Sequence, residues 1–163
     1  MNIEDLLRED EAAIVDEAWA TVAHLDHYQR DGARATRRKL EALYRQLVGA
    51  VLTRDGSALR AHAGRVARER FEAGYDLYEV QAAFTALGDA ICRRALSRLP
   101  AAELRWECGL VGTALAHGRA ALGRTFAALA DRAPLAAPDA SPALAAALDA
   151  LTSRSADELV FPV

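Results

Sequence analysis

The sequence predicts an all-α fold, a globin-like or four-helix-bundle-like arrangement of about five long helices followed by a short C-terminal helix. Hydrophobic residues make up 52% of the chain while aromatic residues make up only 6%, a balance that favours helices because strands select β-branched and aromatic side chains. Apolar residues also recur three and four positions apart in long runs. Short breaks rich in polar residues, glycine or proline separate these runs and set the helix boundaries.

The first two helices are predicted from apolar stripes on either side of a polar break. The first helix runs from Ile3 to His24, with its stripe at Leu7, Ile14, Ala18, Val22 and Leu25. Residues 26–32 form the break, and the stripe of the second helix follows at Leu40, Leu43, Leu47 and Val51. Gly56 is predicted to end this helix and Ser57 to cap the third.

The boundary between the third and fourth helices is predicted in the most detail. Gly74 fits the position just past a helix end, where a left-handed backbone costs glycine little. Asp76 is predicted to cap the fourth helix, and Glu79 to reach back and complete a capping box. Tyr75 and Val80 have the spacing of a hydrophobic staple. All five residues are therefore predicted to be structural.

The fourth and fifth helices are the longest predicted segments. The fourth ends at Leu99–Pro100, because proline disfavours helix at the residue before it, and its stripe consists of Leu77, Val80, Phe84, Leu87 and Ile91. The fifth contains four glycines, Gly109, Gly112, Gly118 and Gly123. Each glycine costs about 1 kcal/mol of helix propensity relative to alanine. Their number predicts that another backbone approaches this helix, inside the bundle or at a subunit interface.

The chain is predicted to have a helical sensory domain over 1–132, a Pro/Ala-rich linker over 133–142, and a short amphipathic helix with an apolar tail over 143–163. A short helix is marginal alone in water, so the last segment is expected to dock on its own bundle or on another chain. The net charge of −3 and pI near 5.8 give no general attraction to nucleic acid or anionic membranes. Without a leader pattern or a run of ~18 apolar residues, a cytoplasmic protein without membrane contact is predicted.

Histidine and cysteine residues are the first candidates for chemistry. The four histidines lack the Glu-x-x-His and His-Glu-x-x-His patterns of helical metal sites, so no metal site is predicted. The fifth helix has an apolar stripe that includes Leu115 and Leu122. His117 lies beside this stripe and is the candidate for a buried or haem-facing imidazole. Cys92 and Cys108 lie at similar heights on helices joined by a tight turn, and we favour two small buried hydrophobes over a redox pair.

Basic residues form two groups, Arg30, Arg34, Arg37, Arg38 and Lys39 in the first and Arg65, Arg68 and Arg70 in the second. Either group could contact phosphate, but acidic residues are interspersed through the rest of the chain and no recognition-helix motif occurs. A solvated, salt-bridged face is the favoured interpretation. Because no motif joins a nucleophile to a base, no catalytic residue is predicted.

Three segments carry a resemblance to a known family, Ile14–Trp19, Leu40–Leu52 and Arg68–Val80. In them the chain resembles the N-terminal input domain of RsbR-type stressosome proteins, the RsbRD-like group, and the similarity covers roughly Leu6 to Arg132. The resemblance implies a helical sensory domain that is usually dimeric and has no obligatory haem. The family's usual output, such as a phosphorylated STAS domain, is not carried over, because no alternating strand pattern follows Arg132.

Three hypotheses about function follow, in order of preference. The first is a non-enzymatic signalling or regulatory module of the stress-response type, acting through homodimerisation and contacts with a protein partner. The second is a small-molecule or haem sensor with a pocket between helices near Tyr75, Phe84 and His117. The third, a nucleic-acid-binding regulator using Arg34 to Lys39, is disfavoured by the charge balance. No cofactor is predicted.

Overall fold

Residues 1–133 are described by the computed structural model, and within them the chain forms an all-α bundle without strands. Its helices are α1 (Ile3–Glu9), α2 (Glu11–Val22), α3 (Asp26–Asp31), α4 (Ala33–Thr53), α5 (Ser57–Glu72), α6 (Leu77–Arg98) and α7 (Ala101–Arg132). The chain divides into two units, Met1–Asp131 and Arg132–Val163. The predicted C-terminal helix, and the predicted linker apart from Ala133, lie outside the described residues.

The predicted apolar stripes form the core, which confirms the all-α prediction. Within unit 1, α2 packs against α6 and α4, and α4 packs against α5. The hydrophobic core includes six fully buried side chains, those of Ile14, Leu40, Leu47, Phe84, Leu87 and Ile91. Each such side chain contributes about 1.5–3 kcal/mol when it leaves water. The Tyr44 hydroxyl donates a 2.6 Å hydrogen bond to the Leu7 carbonyl and so joins α4 to α1.

The first predicted helix, Ile3 to His24, is wrong as one continuous element. It is interrupted at Asp10, whose φ of −99° and ψ of 9° separate α1 from α2. The Asp10 carboxylate lies 2.6 Å from Arg98 Nη1 and 3.7 Å from Arg94 Nη1, both on α6. Aspartate is a weak helix former, and these tertiary ion pairs hold it at the interruption.

The break predicted over residues 26–32 is also wrong, because it contains the short helix α3. This segment has no apolar stripe, and a helix of six residues is not stable by itself. Tyr28, only 3% exposed, anchors it by donating a 3.2 Å hydrogen bond to the backbone carbonyl of Glu79. Tertiary contacts, which local sequence does not reveal, therefore stabilise α3.

The predicted end of α5 at Gly74 is confirmed. Gly74 has φ 79° and its amide donates to the Phe71 carbonyl at 3.1 Å, while the Tyr75 amide donates to the Arg70 carbonyl at 3.0 Å. This pair of bonds is the Schellman arrangement, which leaves few carbonyls unpaired at a helix end. Asp76 caps α6 as predicted, since its Oδ1 accepts the Glu79 amide at 2.8 Å.

Two details of capping were predicted wrongly. Glu79 does not reach back to the Asp76 amide, because its carboxylate faces His27 on α3. At the start of α5, Ser57 is the first helical residue and its amide and hydroxyl both donate to the Asp55 carboxylate, at 2.9 Å each. The left-handed residue of that turn is Arg54, with φ 57°, while Gly56 has φ −85°.

Three glycines of α7 differ in how closely other residues approach them. A Cβ at Gly118 would lie 2.8 Å from Phe84 Cε1 and 3.4 Å from Leu59 Cγ, so this glycine allows α7 to approach α5 and α6. Gly109 and Gly112 have nothing within 4 Å of a built Cβ, and both are exposed. The predicted close approach thus holds at Gly118 within the bundle.

Candidate functional site

A cavity of about 210 Å³ lies where α4, α5 and α6 meet, with Tyr28 of α3 at one side. Its apolar wall is formed by Leu40, Leu43, Val66, Val80, Ala83 and Phe84. Its polar lining is formed by Arg38, Lys39, His62, Glu69 and Arg70, beside the Tyr28 ring. We call this space the α4–α6 cavity.

Among the polar residues that line the cavity, His62 has a buried atom without a hydrogen-bond partner within residues 1–133. Its Nδ1 lies 3.5 Å from Arg65 Nη2, and because a guanidinium only donates, this long contact favours the tautomer with the ring proton on Nε2. Nε2 is buried without a hydrogen-bond partner among the described residues. Burial, with the Arg65 charge, lowers the pKa of His62 against the opposing effect of Glu69, which favours this neutral form. His62 lines the cavity, but its Nε2 is closed to a water-sized probe and does not face that space.

A second polar feature, the polar cluster, adjoins the cavity and shares Tyr28, Lys39 and Arg70 with it. We define the cluster as His27, Tyr28, Asp31, Lys39, Arg70, Tyr75 and Glu79. These residues come from α3, α4, the end of α5, the α5–α6 turn and the first turn of α6. The cluster therefore holds α3 against the start of α6.

Asp31 is one centre of the polar cluster. Its Oδ2 accepts hydrogen bonds from the Tyr75 hydroxyl and the Lys39 ammonium, and from Arg70 Nη1 at 3.2 Å. Partial burial acts to raise the pKa of Asp31, but these bonds and charges outweigh it and the pKa is lowered. The Arg70 guanidinium, in turn, lies 4.6 Å above the Tyr75 ring in a cation–π contact. Asp31 is thus the ionised acceptor that three donors share.

Glu79 is the other centre, and it is only 7% exposed. Its Oε1 accepts the His27 amide at 3.2 Å, and its Oε2 lies 2.6 Å from His27 Nδ1, an ion-pair distance without hydrogen-bond alignment. Burial raises the pKa of Tyr28 to about 12, so its hydroxyl stays a donor at neutral pH. Both oxygens of the buried Glu79 carboxylate therefore face His27, while Tyr28 fixes the backbone beside it.

The residues predicted to surround a pocket do not lie together. Phe84 lines the α4–α6 cavity, but Tyr75 lies in the polar cluster. His117 is exposed, with its Nδ1 4.0 Å from a Cβ built on Gly56. The expectation that His117 is buried is therefore wrong, because its side chain is exposed; that it faces haem stays a prediction.

Sequence reasoning missed His62 as a candidate residue. It lies three residues after Leu59 and four before Val66, two apolar residues of the segment predicted as the third helix. A polar residue at this helical spacing shares a face with the stripe. That position was the available signal that His62 faces inward.

Cys92 and Cys108 lie side by side, and part of the first basic group is engaged in ion pairs. Cys92 and Cys108 are free and half-buried, and burial together with the neighbouring Cys108 raises the pKa of Cys92 to about 11. Of the first basic group, Arg37 pairs with Asp16 and Lys39 with Asp31, while Arg38 lines the cavity. These three residues of the first basic group thus lie in ion pairs or beside the cavity.

Within residues 1–133, no helix has the length and apolar character needed to cross a membrane. No three histidine, cysteine, aspartate or glutamate residues in this range are placed to hold a metal ion.

Comparison with family models, curated proteins and solved structures found no match for this chain. The resemblance to RsbR-type input domains therefore stays a prediction carried by short residue patterns. The α4–α6 cavity and the polar cluster are the features from which function is argued.

Proposed function

We propose that this chain is a non-enzymatic regulatory module, similar to RsbR-type input domains, that senses a small molecule in the α4–α6 cavity. The observation that carries the proposal is a cavity with an apolar wall and a few polar side chains, among them Arg38, Arg70 and His62. Binding sites for small molecules are typically apolar pockets with a few placed polar groups. The cavity has this composition.

The cavity volume sets the size of the ligand. An apolar cavity of about 150 Å³ in a protein core is enough to hold benzene. At about 210 Å³, the α4–α6 cavity has room for one ring with a small substituent, or for a short branched chain. Larger cofactors such as haem exceed this volume, which favours the small-molecule form of the sensor hypothesis.

Arg70 and Lys39, which belong to both the cavity and the polar cluster, couple ligand binding to the position of α3. Arg70 and Lys39 line the cavity and also bind Asp31 of the polar cluster, which holds α3. A ligand shifts an equilibrium only by its difference in affinity between two states. A ligand that contacts Arg70 favours the state in which the cluster is closed and α3 is docked, and so makes α3 the element that reports occupancy.

The proposal is tested by filling the cavity. Val66→Phe places a larger side chain in the cavity wall, while Val48→Phe makes the same substitution on α4 outside the cavity lining. Binding of toluene and benzyl alcohol to the full chain is measured by calorimetry and by thermal shift, with helix content checked by circular dichroism. We expect the wild type and Val48→Phe to bind and Val66→Phe to lose binding. Absence of binding to the wild type, or equal binding to a folded Val66→Phe protein, would overturn the proposal.

A specific observation also supports homodimerisation, which we propose as a second property. Trp106 is 62% exposed and shares a shallow hollow with Leu52, itself 39% exposed. Gly109 and Gly112 follow on α7, exposed and with open space around them. A large aromatic side chain beside small residues suits close approach of a second copy of α7.

Sedimentation of two matched variants tests the dimer. Trp106→Glu places a charge on this surface, and Leu96→Glu places the same charge at another exposed apolar residue, on α6. We expect Trp106→Glu to shift the wild type from dimer to monomer and Leu96→Glu to leave the dimer intact. A wild type that is monomeric at all concentrations, or a dimer insensitive to Trp106→Glu, would contradict this surface.

A further inference from the structure

We propose that Cys92 of α6 and Cys108 of α7 form a reversible disulfide by exchange with a low-molecular-weight disulfide of the glutathione disulfide class, and that this bond ties the two helices together. The pair lies outside the lining of the α4–α6 cavity, so the inference is independent of the proposed function. It depends on the position of the cysteines along their helices, on the faces that they occupy and on their exposure.

The two cysteines lie at the same height on the hairpin that α6 and α7 form. Leu99 and Pro100 separate these helices. Cys92 is eight residues before Pro100, and Cys108 is eight residues after it. At about 1.5 Å per residue, each cysteine is about 12 Å from the turn along its helix axis. Equal distances from a tight turn place two residues side by side when the helices run antiparallel.

Contacts further along the hairpin show that α6 and α7 do run antiparallel. A Cβ built on Gly88 would lie 2.5 Å from Leu115 Cδ1, and a Cβ built on Gly118 would lie 2.8 Å from Phe84 Cε1. The contact therefore moves back along α6 as it moves forward along α7. At both glycines the helices approach each other where a methyl group would collide.

The cysteines occupy the same helix faces as these contacts. Cys92 is four residues after Gly88, and Cys108 is seven residues before Leu115, spacings at which residues share a face of a helix. The two thiols are accordingly close enough for a side-chain hydrogen bond between them. A disulfide, in which the sulfurs are about 2.05 Å apart, forms from this contact.

Exposure distinguishes the pair from ordinary core residues. Ile91 on α6 and Val111 on α7 are 1% and 0% exposed, whereas Cys92 and Cys108 are both half-buried. A cysteine that serves only as a small hydrophobe is expected in the core. The half-buried thiols are instead partly open to solvent, as exchange with a dissolved disulfide requires.

Exchange forms the bond in two steps. Cys108 Sγ, as the thiolate, attacks one sulfur of glutathione disulfide and releases one glutathione thiolate. Cys92 Sγ then loses its proton and attacks Cys108 Sγ, which releases the second glutathione thiolate. The cysteine pair gives up two electrons and two protons, and glutathione disulfide is reduced to two molecules of glutathione. Excess glutathione reverses both steps, so the ratio of its two forms sets the state of the pair.

The surroundings of Cys92 assign it the second step. Burial, together with the neighbouring Cys108 thiol, raises the pKa of Cys92 to about 11, so Cys92 keeps its proton at neutral pH. Because the thiolate is the attacking form, the first attack falls to Cys108. The bond then closes within one chain, because the second thiol already lies beside the first.

Equilibration in glutathione redox buffers tests the inference. The reduced full chain is incubated at a series of ratios of glutathione to glutathione disulfide, free thiols are alkylated, and mass spectrometry measures the products and locates any linked peptide. Cys92→Ser and Cys108→Ser each remove one partner. The matched control combines Cys108→Ser with Gly109→Cys, which moves the thiol to an exposed position where a Cβ has nothing within 4 Å. Circular dichroism checks the helix content of each variant.

We expect both thiols of the wild type to disappear together, with loss of two hydrogens and without retained glutathione, and the linked peptide to contain Cys92 and Cys108. The oxidised protein should unfold about 5–10 °C above the reduced protein, because the bond closes a loop in the unfolded chain. The single variants and the control should instead retain glutathione as mixed disulfides and show no such gain.

Three results would overturn the inference. They are a folded wild type that retains glutathione on both cysteines, a wild type that keeps both thiols at every ratio, and a control that forms a linked peptide as readily as the wild type. A disulfide that lowers the unfolding temperature would also overturn it, because the two sulfurs would then be out of reach of each other in the folded bundle.

Discussion

The polar cluster and the α4–α6 cavity meet at Arg70 and differ in how their polar groups are paired. In the cluster, Asp31 accepts three donors and the buried carboxylate of Glu79 faces His27. In the cavity, the buried Nε2 of His62 has no partner in the described part of the chain. The same small region of the bundle thus contains a cluster closed by ion pairs, in which His27 Nδ1 alone lacks hydrogen-bond alignment, and a cavity-lining histidine whose buried nitrogen has no partner within residues 1–133.

This difference distinguishes a structural role from a binding role. Buried polar groups are nearly always paired, and a fully paired network stabilises one arrangement of the helices around it. An unpaired buried donor lowers stability, whereas an apolar space with a few polar groups is typical of a ligand site. The cluster is therefore expected to respond to mutation by losing stability, and the cavity by losing binding.

The largest expected effect follows removal of the Glu79 carboxylate. Glu79→Ala leaves the His27 amide without its acceptor and His27 Nδ1 without the carboxylate 2.6 Å away, and the expected loss is about 3 kcal/mol in the free energy of unfolding. Urea unfolding followed by circular dichroism measures it. Glu72→Ala, at an exposed residue at the end of α5, is the control and should change stability by less than about 0.5 kcal/mol. Equal effects of the two would show that the cluster is not structural.

A smaller effect, with a characteristic pH dependence, is expected for Asp31→Asn. The lowered pKa of Asp31 means that its ionised form stabilises the fold above the unfolded-state pKa near 3.9 and that this contribution is lost as pH falls below that value. At neutral pH the variant should be about 1–2 kcal/mol less stable, because Asp31 is partly exposed and its ion pairs are screened. The gap should narrow below about pH 4. A gap that is constant from pH 7 to pH 3 would contradict the assignment.

A still smaller effect on stability is expected for Gly118→Ala, because Gly118 packs behind the cavity wall. A Cβ at this position would press on Phe84, which lines the cavity, so overpacking of about 1–3 kcal/mol is offset by a helix gain of about 1 kcal/mol. Gly118→Ala should therefore destabilise by about 1 kcal/mol in thermal unfolding. Gly112→Ala, where a Cβ meets nothing within 4 Å, should stabilise the monomer by up to about 1 kcal/mol. Stabilisation by both would mean that α7 does not press on Phe84.

The sequence was sufficient for the helices whose stability is local or periodic. The stripe of α6, the left-handed Gly74 and the Asp76 cap were all predicted, because each depends on spacing of three or four residues or on the conformational preference of one residue. The interruption at Asp10 and the helix α3 were not predicted. Both depend on contacts with α6, which lies more than fifty residues further along the chain.

The candidate site was predictable only in part, for a related reason. Phe84 was expected beside a pocket from its place on an apolar stripe, and it lines the cavity. The pairing of Arg70 with Asp31, and the lack of a partner for His62 Nε2, depend on which helices face one another. Residue spacing within one helix does not determine that, so His117 was expected at a site where His62 lies instead.

The most direct test of the account is the stability of His62→Leu in the absence of ligand, measured by urea unfolding. If His62 Nε2 is an unpaired buried donor, replacing it removes a cost and should leave the free energy of unfolding unchanged or raise it by about 1 kcal/mol. A loss of about 2 kcal/mol or more, comparable to that of Glu79→Ala, would show that His62 is already paired in the folded protein. The contrast between a closed cluster and an open cavity would then be wrong.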